Sequence, residues 1–323
     1  MSKRFWSAMA ALACMLSVQL PAVAQDFPAR AVRLVVPYPA GGQSDIFARL
    51  IADSLRQQFN QPVTVENRAG AGTTLGANLV AASPPDGYTI LLAAASATAI
   101  TPLTMKSVNF DASRITPITL VAKVPYVLVA AKHFPPNTMA EFLAYAKANP
   151  GKVNWATHGM GAAQHLTGEM FAQAAGIQIT PIHYQGSTPG VVDMLGGRVE
   201  IMFDGAGTGL ANVRGGKLKA IAMGSDRRVP SEPDLPTWRE GGVPQSAYTW
   251  YGMFAPTGTP QPVLDRLHAA LTTAIQSKPY RDRIASAEGE VPAMSIQETR
   301  RFVADDTAMW AKLIPTLNIK LAE

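Results

Sequence analysis

The stretch Ala31-Val-Arg-Leu-Val-Val36, followed at once by Pro37-Tyr-Pro-Ala-Gly-Gly-Gln-Ser-Asp45, decides the fold. Its first six residues are typical of a β-strand, and the prolines and glycines after them cannot continue one. Ser44 is suited to cap the next helix and Asp45 to lie in its first turn. Apolar residues recur near helical spacing from Ile46 to Phe59. The stretch therefore predicts a strand, a glycine-rich loop and a helix in succession.

The same order of elements recurs along the chain. Strands are predicted over 63–66, 88–93, 152–156, 179–184 and 198–203, and helices over 74–82, 162–175 and 189–195. Alternating strands and helices predict parallel sheets. Because the series occurs once in each half of the 323 residues, we expect two similar α/β lobes.

The N-terminus has the pattern of a secretory signal peptide. Lys3 and Arg4 precede an apolar run from Phe5 to about Leu20, and small residues at Ala22 and Ala24 favour cleavage before Gln25. Residues 1–24 are therefore predicted to be removed, which places the mature protein in the periplasm. Cys14, the only cysteine, lies in this segment, so we expect no disulfide and no zinc–cysteine site in the mature chain.

Composition and motifs argue against several classes of function. Without Lys3 and Arg4 the net charge falls from +5 to +3, and no dense run of Lys or Arg predicts a nucleic-acid partner. The segment 70–76 lacks dinucleotide-binding spacing, and the chain has neither a Gly-x-Ser-x-Gly elbow nor a His-Glu-x-x-His motif. His165 and Glu169 could bind a metal, but we favour a polar pair on one helix face. We therefore expect no enzyme, cofactor or metal.

Glycine-rich loops are the features best suited to bind a ligand. In parallel α/β sheets, ligands bind beyond the carboxyl ends of the strands, where helix N-termini attract anions. Such loops occur over 38–44, 157–163 and 186–188. His158 lies in the second of them and Asp204 ends a predicted strand. Either side chain could line the pocket or be an ordinary solvated charge.

Several segments resemble the Bug family, the extracytoplasmic receptors of tripartite tricarboxylate transporters. The first is the loop from Val36 to Asp45. The others follow in order along nearly the whole mature chain: Glu66 to Gly72, Pro85 to Thr89, His183 to Ser187, Met194 to Gly197 with Met202 to Asp204, and Trp250 to Gly252 with Ala255 to Pro260.

The resemblance implies a two-lobed periplasmic-binding-protein type II fold, or Venus flytrap. The chain would cross near Pro125-Tyr126 and return near Tyr248-Thr249. Lobe 1 would then comprise residues 25–125 and 249–323, and lobe 2 residues 126–248. Backbone amides of the two facing loops, with ordered waters, would hold a small carboxylate, by position at Tyr38, Ala40, Gly41, Gly42, Ser44, Thr157, Gly159, Gly161, Ala162 and Ala163. Gly186, Ser187 and Asp204 would lie nearby, and His158 would set specificity.

The sequence departs from the family pattern at Ala162, which stands where the family often has serine. A hydroxyl donor is therefore lost at this position. We expect a monomer that delivers a di- or tricarboxylate, an amino acid or an aromatic acid to the membrane permease subunits of a tripartite tricarboxylate transporter. The alternatives are a protein that presents its ligand to a periplasmic sensor kinase, and a periplasmic enzyme on the same fold.

Overall fold

The computed structural model describes residues 27–105, 109–184, 186–317 and 319. The predicted signal peptide and its cleavage site lie outside the described residues. Nine strands occur in the described part of the chain: β1 (Val32–Val36), β2 (Val63–Asn67), β3 (Thr89–Ala94), β4 (Ile115–Ala131), β5 (Asn154–Thr157), β6 (Thr180–His183), β7 (Ile201–Gly205), β8 (Leu218–Met223) and β9 (Tyr248–Pro256).

Each lobe contains its own part of the sheet. In lobe 1 the order is β2-β1-β3-β9-β4, in which β1 is parallel to β2 and β3, and β9 is antiparallel to β3 and β4. In lobe 2, β6, β5 and β7 are parallel to one another, and β4 lies antiparallel between β7 and β8. The parallel strands of each half confirm the two-lobed α/β fold expected from the sequence.

The long strand β4 connects the lobes. Its residues up to Pro125 pair with β9, and Pro125 itself lies opposite Tyr248. From Tyr126 onward the same strand pairs with β7 and β8. We therefore keep Pro125–Tyr126 and Tyr248–Thr249 as the proposed crossover points between the lobes.

Helices cover the faces of both parts of the sheet. They are α1 (Gln43–Phe59), α2 (Thr74–Ala81), α3 (Thr101–Thr104), α4 (Met139–Ala148), α5 (Ala163–Ala175), α6 (Ser187–Leu195), α7 (Ala206–Arg214), α8 (Gln261–Gln276), α9 (Lys278–Ser286) and α10 (Ile296–Leu313). Among the described residues, no helix has both the length and the apolar character required to cross a bilayer.

Three apolar clusters form the core. One fills lobe 2 around Trp155, Phe171 and Phe203, whose rings pack edge to face or tilted. A second fills lobe 1 around Phe47 and Tyr251. The third combines lobe 1 residues with side chains of α5 from lobe 2, and so places apolar contacts between the lobes.

The start of α1 differs from the prediction. The N-cap is Gly42, not Ser44, and no side chain caps the helix. The carbonyl of Gly42 accepts the first helical hydrogen bond, from the Ile46 amide at 3.1 Å, so Ser44 lies inside the first turn. The expectation was wrong because the extended backbone of Gly42 already suits an N-cap, which glycine occupies with little loss relative to serine.

Candidate ligand-binding cleft

The first loop joins β1 to α1 at the carboxyl end of β1. Gly41 has a left-handed backbone with a φ of +82°, a conformation that glycine adopts without steric strain. Its amide donates to Oδ2 of Asp45 at 2.8 Å, and Arg49 Nε donates to the same oxygen at 3.0 Å. Burial opposes ionisation, but the hydrogen bonds from Arg49 and Gly41 hold the pKa of Asp45 below its ordinary value.

The second loop joins β5 to α5 and has a closely similar geometry. Gly161 has a φ of +72°, and its amide donates to Nδ1 of His165 at 3.0 Å. An imidazole nitrogen that accepts a hydrogen bond carries no proton, so Nε2 of neutral His165 carries it. The N-caps Gly42 and Ala162 are both extended, at φ −76°, ψ 172° and φ −68°, ψ 159°.

Both loops therefore lead into helix N-termini without side-chain caps. The first amides of a helix have no partner inside the helix, and neither Gly42 nor Ala162 provides a side-chain hydrogen bond to them. Thr138 caps α4 and Ser295 forms a capping box with Glu298 at α10; the other described α-helices begin, like α1 and α5, without a side-chain cap. The amides of 43–45 and 163–165, together with the positive ends of the helix dipoles, suit a carboxylate.

The lobes touch at the second loop. The Thr104 hydroxyl of α3 lies 3.5 Å from the Gly161 carbonyl oxygen. Ala163 and Leu166 at the start of α5 are buried in the apolar cluster of lobe 1, against which Tyr38 of the first loop also packs. Side chains of both loops therefore pack in the apolar cluster that joins the lobes.

Tyrosines form the floor of this cleft. The Tyr38 hydroxyl forms a 2.8 Å hydrogen bond with Ser96 Oγ and accepts one from the Ala94 amide at 3.2 Å. Tyr126 and Tyr251 lie beside it, and burial raises the pKa of all three phenols. The floor is therefore polar but uncharged at neutral pH.

A buried carboxylate lies on the lobe 2 side. Asp204 is only 2% exposed; it accepts hydrogen bonds from Ser187 Oγ at 3.0 Å and from the Gly205 amide at 2.9 Å. His158 Nε2 lies 3.5 Å from Asp204 Oδ1. Burial lowers the pKa of His158, and the Asp204 charge opposes this only in part, so the imidazole is neutral at pH 7.

The structure groups the residues predicted from the sequence into three sets. The first loop contains Tyr38, Ala40, Gly41, Gly42 and Ser44; the second contains Thr157, His158, Gly159, Gly161, Ala162 and Ala163; Gly186, Ser187 and Asp204 lie beside the second. Thr157 Oγ1 contacts His183 Nδ1 at 2.7 Å and accepts from the Gly159 amide. That these residues bind a ligand stays a prediction.

Three further polar side chains were missed by the sequence reasoning. Gln43 Nε2, Thr73 Oγ1 and the Tyr126 hydroxyl are buried and have no hydrogen-bond partner among the residues that the structure describes. Thr73 has a φ of +80°, which is unusual for a β-branched residue. Only Gln43 had a usable signal, its place directly after the two glycines of the first loop.

The pair His165 and Glu169 lies behind the second loop. His165 Nε2 is 3.6 Å from Glu169 Oε1, and its ring packs edge to face on His183 at 4.7 Å. Since Nδ1 of His165 is already used by Gly161, the ring has one nitrogen left. Among the described residues no group of three His, Cys, Asp or Glu side chains could hold a metal ion. The pair therefore supports the loop.

Comparisons with known proteins agree with this architecture. The family model described as the tripartite tricarboxylate transporter family receptor matches residues 47–319. Protein BugT of Bordetella pertussis is 36% identical over 308 residues, which cover 94% of each chain. The solved structure of R. palustris Rpa4515 with adipate is similar at 30% identity, with a TM-score of 0.82, over 91% of this chain and 99% of that chain. MatC from Rhodopseudomonas palustris with bound malate is also 30% identical, with a TM-score of 0.78, over 89% of this chain and 100% of that chain.

Proposed function

Because the chain belongs to the tripartite tricarboxylate transporter family of receptors, we propose that it captures a small organic carboxylate between its lobes. In this proposal the exported protein works in the periplasm, as a monomer, and passes the acid unchanged to the membrane permease subunits of such a transporter. The adipate and malate bound in two related structures support a carboxylate as the ligand.

One observation carries the proposal. Helices α1 and α5 each begin at a glycine-rich loop without a side-chain cap, and residues of both loops pack in the apolar cluster that joins the lobes. The amides of Gly41 and Gly161 already have acceptors in Asp45 and His165. The donors that we assign to a ligand carboxylate are therefore the amides of 43–45 and 163–165.

The available hydrogen bonds are sufficient for useful affinity. Micromolar binding corresponds to about 8 kcal/mol. Five or six hydrogen bonds to a charged group, at about 1.5–3 kcal/mol each, exceed this before about 4 kcal/mol or more is lost on association. A carboxylate held by amides in this way requires no arginine clamp.

Native mass spectrometry of the protein purified from the periplasm of the producing cells tests the proposal. We expect a bound organic acid whose mass is unchanged after release, and a raised melting temperature when mono-, di- and tricarboxylates are screened. A protein that carries no acid and responds to none in the screen would contradict the proposal. Chemical conversion of the acid would indicate an enzyme instead.

A further inference from the structure

The Tyr126 side chain carries a buried hydroxyl without a partner. Tyr126 is only 1% exposed and lies at the proposed crossover of β4, where the two lobes meet. The hydroxyls of Thr167 and Thr249 come close enough to offset part of the rise in the Tyr126 pKa, but neither reaches the distance and angle of a formed hydrogen bond. Asp204 and Tyr38 are its next polar neighbours, so the hydroxyl lies between groups of both lobes.

Such a hydroxyl is costly unless something binds it. A buried polar group without a hydrogen bond destabilises the fold, and an apolar group of the same shape would avoid this loss. Two other tyrosine hydroxyls of the core do have hydrogen-bond partners. Tyr280 donates to the Val121 carbonyl at 3.0 Å, and Tyr38 is hydrogen-bonded to Ser96. The Tyr126 hydroxyl therefore has a donor available at the point where β4 passes from one part of the sheet to the other.

Thr73 presents a second hydroxyl of this kind from lobe 1. Its left-handed backbone, at φ +80°, disfavours a β-branched side chain, and glycine would relieve the strain. Oγ1 is buried and approaches the Tyr38 hydroxyl, but it makes no hydrogen bond of full geometry with any described residue. Thr73 therefore lies beside Tyr38, whose phenol in turn influences that of Tyr126.

We propose that Tyr126 and Thr73 are specificity-determining residues whose hydroxyls bind the end of the ligand that points to the cleft floor. Both hydroxyls can donate, so this end carries an acceptor oxygen: a second carboxylate, a hydroxyl or a carbonyl. Acids with one carboxylate and an apolar tail leave both donors unsatisfied and bind more weakly. The inference rests on the proposed function, because it requires a carboxylate held at the two loops.

Two matched pairs of acids test the selection by calorimetry. Malate and butyrate have four carbons, and adipate and hexanoate have six; only the first of each pair has oxygens away from one carboxylate. We expect wild-type protein to prefer malate or adipate over its partner. Tyr126→Phe should weaken the preferred acid about tenfold and change binding of the monocarboxylate less than twofold. Thr73→Val should act in the same direction, whereas Thr73→Ser keeps the hydroxyl and the affinity.

Stability distinguishes a ligand contact from a structural role. Tyr126→Phe should raise the melting temperature of the ligand-free protein, because it removes an unsatisfied buried hydroxyl. The control Tyr280→Phe breaks a formed hydrogen bond, so it should lower the melting temperature and leave the preference unchanged. A Tyr126→Phe protein that is less stable and binds all four acids equally weakly would overturn the inference.

The wild-type measurements separate this inference from the proposed function. If the wild-type protein binds the monocarboxylates as tightly as malate and adipate, the inference is wrong and the proposed function stands. If it binds none of the four acids and none in the wider carboxylate screen, both are wrong.

Discussion

Asp45 and His165 do the same structural task in the two lobes. Each accepts a hydrogen bond from the amide of the glycine four residues before it, at 2.8 Å from Gly41 and 3.0 Å from Gly161. Both glycines have left-handed backbones. The two loops therefore share one geometry, which a carboxylate maintains in lobe 1 and an imidazole in lobe 2.

Removing either acceptor should disorganise its loop. Asp45→Ala and His165→Leu are each expected to weaken carboxylate binding at least tenfold, because the helix amides lose their fixed orientation. Asp45→Asn and His165→Asn still offer a hydrogen-bond acceptor and should keep most of the affinity. Calorimetry with the acid identified by the screen checks this. Arg49→Ala, which removes only an exposed partner of Asp45, is the control. Asparagine variants that lose as much affinity as Asp45→Ala and His165→Leu would contradict the account.

Gly41 can be compared with a glycine remote from the cleft. Gly41 and Gly151 have φ values of +82° and +72°, and a Cβ at either position would meet nothing within 4 Å. Valine at either site should therefore cost a similar 1–2 kcal/mol of stability, roughly the penalty for a left-handed backbone. Only Gly41→Val should abolish ligand binding, because its side chain projects where the ligand approaches. Thermal unfolding and calorimetry measure the two effects, and equal binding by both variants would be evidence against a site at this loop.

Much of this architecture could be predicted from the sequence. Prolines and glycines end β1 and β5 so sharply that the loops after them, and the helices that follow, were located within one or two residues. Periodicity could not decide the start of α1, since Gly42 and Ser44 are both acceptable N-caps.

The floor of the cleft could not be predicted in this way. Tyr126 lies within a run of apolar residues in β4, where a tyrosine is expected to be core. Its place at the boundary between the lobes arises because β4 changes its partners between Pro125 and Tyr126, which is a long-range property. The positive φ of Thr73 was equally hidden, because threonine is not a residue that indicates a left-handed backbone.

Stability should depend on the protonation of His158. Burial lowers its pKa in the folded protein, so the unfolded chain, with an imidazole near 6.5, binds the proton more readily. The stability that neutral His158 contributes to the folded protein is therefore fully present above about pH 6.5. Below this pH the unfolded chain takes up the proton first, and the free energy of unfolding falls. His158→Gln should flatten the decline of melting temperature between pH 7.5 and 5. Burial also lowers the pKa of His183, so His183→Gln is measured in parallel; a decline unaffected by either variant would contradict the prediction.

Closure of the lobes should depend on Leu166. This α5 side chain is fully buried in the apolar cluster of lobe 1, so Leu166→Ala removes contacts that exist only when the lobes touch. We expect a larger radius of gyration by small-angle scattering and weaker ligand binding. Leu210→Ala, which lies within the lobe 2 core, should lower the melting temperature without expanding the protein. If Leu166→Ala and wild type have the same radius of gyration, both with saturating ligand and without ligand, closure does not depend on Leu166.

A crystal structure of the protein with its bound acid tests most directly whether backbone amides of both lobes hold the ligand. We predict one carboxylate in the cleft with oxygens about 2.7–3.2 Å from amide nitrogens of residues 43–45 and 163–165. An acid bound outside the cleft, or a carboxylate held by lysine or arginine side chains without these amides, would contradict the account.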